Sequence, residues 1–252
     1  MLYSGHMNLS NNQNGEVKKP SPLAEYFGEV IYGGIDGIIT TFAVVAGFAG
    51  AAMSTDSTMQ LTFVVVLLFG LANLFADAAS MGLGNFLSVR SEKDLYNAAR
   101  DKEITGLKNN PVDERAIAVT LMIEKGFSAE DAETLATIYT KNSEYFIDFM
   151  MNHKLEMADP RGSNPALTGT ATFLSFMIFG VIPLLPFILI PEGTVSTVFT
   201  LSVIGTFAAL VILCLLKWRV VGGAVMSAMV EVVTVGGVAA VIAYYVGTFF
   251  AG

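Results

Sequence analysis

Five stretches of the chain, roughly 29–53, 60–88, 166–190, 195–216 and 221–250, are apolar almost throughout. About 20 such residues suffice for a helix to cross the hydrocarbon core of a bilayer. The connections 54–59, 191–194 and 217–220 are short. Between the second and third apolar stretches the pattern changes to charged and amphipathic. The second stretch continues into "SVRSEKDLYNAARDKEITGL" until "NNP" at 109–111 breaks it. "VDERAIAVTLMIEKG" then reads as an amphipathic helix ending at Gly126. "SAEDAETLATIY" opens on Ser128 with Asp131 three residues on, a start resembling a capping box. "NSEYFIDFMMNHKLEM" gives one more helix before "DPRGSNP" ends the region. The pattern predicts an all-α polytopic membrane protein with five transmembrane helices and a small helical cytosolic insert between spans 2 and 3. Its divisions are a flexible polar tail at 1–22, spans 1 and 2 in 23–89, the insert at 90–165, and spans 3 to 5 in 166–252.

Composition strengthens this reading. Hydrophobic residues make up 53% and charged residues 14% of the 252, where soluble domains carry about 25% charged residues. The net charge of −8 argues against nucleic acid as a partner. The single cysteine, Cys214, permits no intrachain disulfide and no cysteine-based metal site. Residues 1–22 lack the apolar core of a signal peptide, and "SGHM" at 4–7 resembles a cloning remnant. All 14 lysines and arginines fall on one side of a five-span arrangement. They precede span 1, fill the insert, or lie between spans 4 and 5. The positive-inside rule then places the N-terminus and 90–165 in the cytosol and the C-terminus outside it. A bacterial-type plasma membrane and an organellar membrane both suit this pattern.

Ionisable residues inside spans are expensive, at about 2.5–3.5 kcal/mol for a central Asp, and are functional candidates by default. Asp36, Asp77 and Glu231 are three such carboxylates. At 1.5 Å rise per residue they lie roughly 10–15 Å inside the cytosolic ends of their spans, hence at comparable depth. Asn73, Asp77 and Met81 recur every four residues and share one helical face. That face offers an amide oxygen, a carboxylate and a thioether, a donor set that leans towards a first-row ion such as Fe²⁺. For Met81 the alternative is packing; for a lone buried Asp it is a hydrogen bond to a neighbouring helix. Span 1 carries Gly33 and Gly37 as a GxxxG motif, which suits either tight internal packing or a dimer seam. Met150 and Met151, adjacent on the last amphipathic helix, should place at least one side chain in the insert's core.

Three passages carry a resemblance to a known family: "DGIITTFAVVAGFAGA", "ASMGLGNFLSVRSEKDLY", and "FIDFMM" followed by "NPALTGTATFLSFMIFGVIPLLPF". Over about 24–250 the chain resembles the vacuolar iron transporter family. The resemblance implies a five-span homodimer that exports Fe²⁺ and related divalent ions from the cytosol in exchange for protons. It matches Asp36 and Met81 to the family's translocation path, and Glu25 and Glu29 to acidic residues at the start of span 1. A span-2 carboxylate of the family falls at Asn73, and we read Asp77, one turn on, as its replacement. In the cytosolic domain of plant members metal is bound by glutamates and a Met pair. Glu103, Glu114, Met150 and Met151 match these, whereas Gly106, Ile117 and Lys154 depart, the last placing a cation where a ligand would stand.

The expected activity is therefore a divalent-metal/proton antiport, with the metal as substrate, no cofactor and no enzymatic chemistry. The partners are the ion (Fe²⁺ first, then Mn²⁺, Co²⁺, Ni²⁺ or Zn²⁺), protons, the bilayer and a second copy of the chain. The alternative is a membrane-anchored metal-binding or sensing protein without transport. An intramembrane hydrolase lacks support, since neither HExxH nor GxGD occurs.

Overall fold

The computed structural model describes residues 26–54, 59–191, 193–221 and 225–251. These form an all-α protein in which five helices are long and apolar enough to cross a membrane. In chain order the α-helices are α1 (Phe27–Ser54), α2 (Met59–Asn109), α3 (Pro111–Glu124), α4 (Ala129–Tyr139), α5 (Ser143–His153), α6 (Pro165–Gly180), α7 (Leu185–Leu189), α8 (Val195–Val221) and α9 (Val225–Ala251). The chain divides into two compact units, one of residues 1–86 and 166–252 and one of residues 87–165. Helix α2 contributes to both.

In the first unit α1 is the centre, and small residues set its contacts. A Cβ on Gly37 would lie 2.6 Å from the Phe176 carbonyl oxygen, and one on Gly33 2.9 Å from that of Thr172. The GxxxG motif is therefore taken up in the crossing of α1 with α6. The opposite end of α1 meets α9 in the same way, with Gly50 against Tyr244 and Gly47 against Ala243 and Gly247. Span 3 is interrupted after Gly180 by a 3-10 turn, Ile182–Leu184, before α7. Pro183 and Pro186 supply no N–H, so the helical ladder cannot run through them. The freed carbonyl of Pro183 accepts a hydrogen bond of 2.7 Å from the Ser202 hydroxyl of α8, as irregular backbone at membrane depth requires. Val45, Leu74, Phe176, Leu184 and Phe187 make the largest buried cluster.

In the second unit the local signals of the sequence are realised. Helix α2 ends before Pro111. Ser128 caps α4 by accepting from the Asp131 N–H, and its hydroxyl donates to the Asp131 carboxylate. Gly126 takes φ +100° after α3, a left-handed conformation that glycine adopts without strain. Asn142 caps α5. Phe146 and Met150 pack with Ala118 and Ala136, and Met151 packs with Tyr96 and Ile147.

Candidate functional site

The half-buried carboxylate of Asp36 lies in the cytosolic-end half of α1 as the sequence orients it, eight residues after Gly28. The Thr40 hydroxyl donates to the Asp36 backbone carbonyl at 2.8 Å. Asp77 of α2 is close enough for its charge to act on Asp36. The Asn73 amide donates to Asp77 Oδ2 at 2.6 Å, which demonstrates the shared face of Asn73 and Asp77. As oriented, Asn73 steadies Asp77 and keeps its own carbonyl oxygen as a further donor atom for a cation. Met81, one turn further along, is half-buried against the apolar cluster of Leu74, Ala78 and Phe176.

The remaining candidates are more dispersed. Glu29 is half-buried in the first turn of α1. Glu25 lies outside the described residues, and Glu231 is described only as a backbone position of α9. Among the described residues no three His, Cys, Asp or Glu side chains converge as metal ligands. An ion at the Asp36–Asp77 level would have to draw on Asn73, Met81 or water as well.

The second unit holds a different cluster. The Lys154 ammonium donates to Glu103 Oε2 and to Glu114 Oε2, each at 3.0 Å. The Glu103 side chain is 9% exposed and that of Glu114 14%. Burial pushes the lysine's pKa down, but its hydrogen bonds to Glu103 and Glu114 raise it by more, to a net increase over the ordinary value. Gly106 leaves room for the Glu114 carboxylate: a Cβ there would stand 2.9 Å from Glu114 Oε1. Met150 and Met151 are fully buried in apolar clusters. The family resemblance implies that Lys154 stands where a ligand would be. That its ammonium lies between the two carboxylates required the packing of α2, α3 and α5.

Hydroxyl contacts between spans escaped the sequence reading. Asn85 donates to Thr172 Oγ1 at 2.8 Å, and Ser175 donates to the Val30 carbonyl. Single serines and threonines in an apolar run carry no signal of which neighbour they will meet.

Comparison with known proteins adds an independent line. A profile of the VIT family matches residues 27–248. A vacuolar iron transporter of Toxoplasma gondii is 33% identical over 237 residues, covering 89% of this chain and 74% of that protein. Vacuolar iron transporter 1 of Arabidopsis thaliana is 29% identical over 228 residues, 90% of this chain and 87% of the relative. Vacuolar iron transporter 1 of Oryza sativa subsp. japonica is 30% identical over 235 residues, 93% and 89% respectively.

Proposed function

The chain belongs to the VIT family, and from that premise we propose that it carries Fe²⁺ or a related divalent ion out of the cytosol in exchange for protons. The observation that supports the reading most is the pair of carboxylates, Asp36 and Asp77, brought within range of each other from two spans. Like charges at close range in a medium of low dielectric repel, and the repulsion is relieved by a cation or by a proton. Either can serve, so binding of one displaces the other. Ionised carboxylates bind M²⁺; their protonation releases it. Asn73 holds Asp77 in place, and the Met81 thioether offers a soft donor one turn away.

In this reading the cytosolic unit contributes little metal capture, because the Lys154 ammonium already neutralises part of the Glu103–Glu114 charge. The N-terminus and 90–165 face the cytosol, as the distribution of lysine and arginine supports. Two copies associate; since the glycines of α1 are occupied by α6 and α9, the dimer contact uses other faces. Flux in proteoliposomes with an imposed pH gradient and a panel of Fe²⁺, Mn²⁺, Co²⁺, Ni²⁺ and Zn²⁺ tests the reading. Metal movement that rises with the proton gradient supports antiport. Tight binding without any flux would favour the sensing alternative.

A further inference from the structure

Span 3 packs against α1 and α2 along much of its length. On the α1 side Gly33 meets the Thr172 carbonyl and Gly37 that of Phe176. On the α2 side Gly82 meets the Gly169 carbonyl, the Asn85 amide donates to Thr172 Oγ1, and Gly70 meets Leu184 of the 3-10 turn. Gly180, the last residue of α6, bears on both neighbours at once. A Cβ there would stand 2.5 Å from Leu74 Cδ1 and 3.0 Å from the Gly37 carbonyl oxygen. Neither atom has room to retreat. Leu74 is fully buried and packs with Ala78 and Phe176, and the Gly37 oxygen is part of the α1 backbone. The backbone does not itself demand glycine at this position, since Gly126 is the one described glycine with a positive φ. What the position uses is the missing side chain. Its two neighbours adjoin the membrane carboxylates: Gly37 directly follows Asp36, and Leu74 lies between Asn73 and Asp77.

We propose that Gly180 is a positioning residue, which lets α1 and α2 close around the end of α6 and so sets the gap between Asp36 and Asp77 and the size of ion they favour. The proposal rests on the reading of those two carboxylates as an ion site. Close packing transmits small changes of volume, and a binding constellation must be held to about 0.5 Å. A methyl group wedged between Gly37 and Leu74 exceeds that tolerance.

Ions of different size read the gap while the donor atoms stay the same, because size and ligand number decide between cations at a given set of donors. Equilibrium titration in detergent with Mn²⁺, the larger ion, and Ni²⁺, the smaller, gives the preference. In Gly180→Ala the affinity for Ni²⁺ should fall about tenfold, the low end of what lost ligand positioning costs, and that for Mn²⁺ should fall less. Leu74→Val removes a carbon from the same contact and should move the preference towards Ni²⁺. The double variant should return it towards wild type. Gly50→Ala is the structural control. It crowds the Tyr244 backbone of α9, far along α1 from Asp36, so it should lower the melting temperature and keep the preference. An unchanged preference in Gly180→Ala, or an equal shift in Gly50→Ala, would overturn the proposal. Should Gly180→Ala fail to fold, Leu74→Val decides, and no shift towards Ni²⁺ counts against it. A second measurement needs no metal. In a Cys214→Ser background, Asp36→Cys and Asp77→Cys can be bridged by bis-thiosulfonate linkers of graded length. Adding Gly180→Ala should make a longer linker the most efficient, and an unmoved optimum would refute the spacing role. If the wild type binds no metal while the optimum lengthens, the transport reading falls and the role of Gly180 stands.

Discussion

At the scale of single residues, the charge on Asp77 is what distinguishes an ion site from a structural hydrogen bond. Asp77→Asn preserves size and can still bond Asn73, but it can neither attract M²⁺ nor carry a proton. Flux on matched amounts of folded protein should fall at least about tenfold, the equivalent of ~1.4 kcal/mol of lost binding; flux near wild type would make Asp77 packing glue. Asp36→Ala should abolish transport. Met81→Leu keeps apolar volume and removes the thioether, so it should leave total flux largely intact while lowering preference for softer ions in a competition series. Lys154 poses the opposite question, since here a cation is supplied by the chain itself. Lys154→Gln leaves two nearly buried carboxylates facing each other, and the unit should lose about 1–3 kcal/mol of stability. The raised pKa of Lys154 fixes the sign of the pH dependence. The ammonium's contribution is complete below the unfolded lysine's value of 10.5 and disappears as pH rises through the higher folded value. Thermal melting should therefore separate wild type from Lys154→Gln fully at neutral pH, and the gap should close only in strong alkali. Lys154→Glu should raise the number of divalent ions bound by the full-length protein in equilibrium titration; tight multi-ion binding to the unaltered cytosolic unit would contradict its reading as a weak metal binder.

At the scale of elements, the glycines of α1 show what a sequence discloses and what it does not. Gly33 and Gly37 announce a close approach on one face, and span length, helix breaks and caps are equally local signals. The ends at Asn109 and Gly126 and the start at Ser128 are written in neighbouring residues. The partner of that glycine face is not written locally, and internal packing or a dimer seam fits the motif equally. Only the folded arrangement brings Thr172 and Phe176 against it. The site divides in the same way. The shared face of Asn73 and Asp77 follows from helical periodicity, whereas the approach of Asp36 to Asp77, the bridging position of Lys154 and the contact of Gly180 with both Gly37 and Leu74 depend on residues distant in the chain. A substitution can weigh the crossing directly. In Gly37→Ala the new methyl would meet the Phe176 backbone at 2.6 Å, which α6 cannot yield without shifting. We expect a loss of about 1–3 kcal/mol, read as a lowered melting temperature in detergent. Gly84→Ala is the control: nothing lies within 4 Å of that position, so it should be neutral or stabilising by about 0.4–1 kcal/mol. Equal melting temperatures for the two variants would mean that the α1–α6 crossing is looser than the structure shows.

At the scale of the whole molecule, orientation decides which end of the proposed path and which unit meet the cytosol. The basic residues are unequally placed along the chain: Lys18 and Lys19 before α1, ten in 90–161, and Lys217 and Arg219 at the end of α8. The joins at 55–58 and 191–194 contain none. Lysine and arginine near span ends are retained on the cytosolic side during insertion, and five spans place the two chain ends on opposite sides. The acidic residues do not follow this division, but carboxylates contribute little to orientation. We therefore expect a reporter inserted at Asn109 to be active only where it requires the cytosol, and one fused after Gly252 only where it requires the other side. Adding three lysines to the 191–194 join, by contrast, should reduce insertion or scramble it, because that join would then compete for the cytosolic side. Both reporters on one side would remove the five-span arrangement. Both sides exchanged would keep the five spans but place the insert outside the cytosol, with metal still moving against the proton flow, because in an antiporter the gradients set the direction.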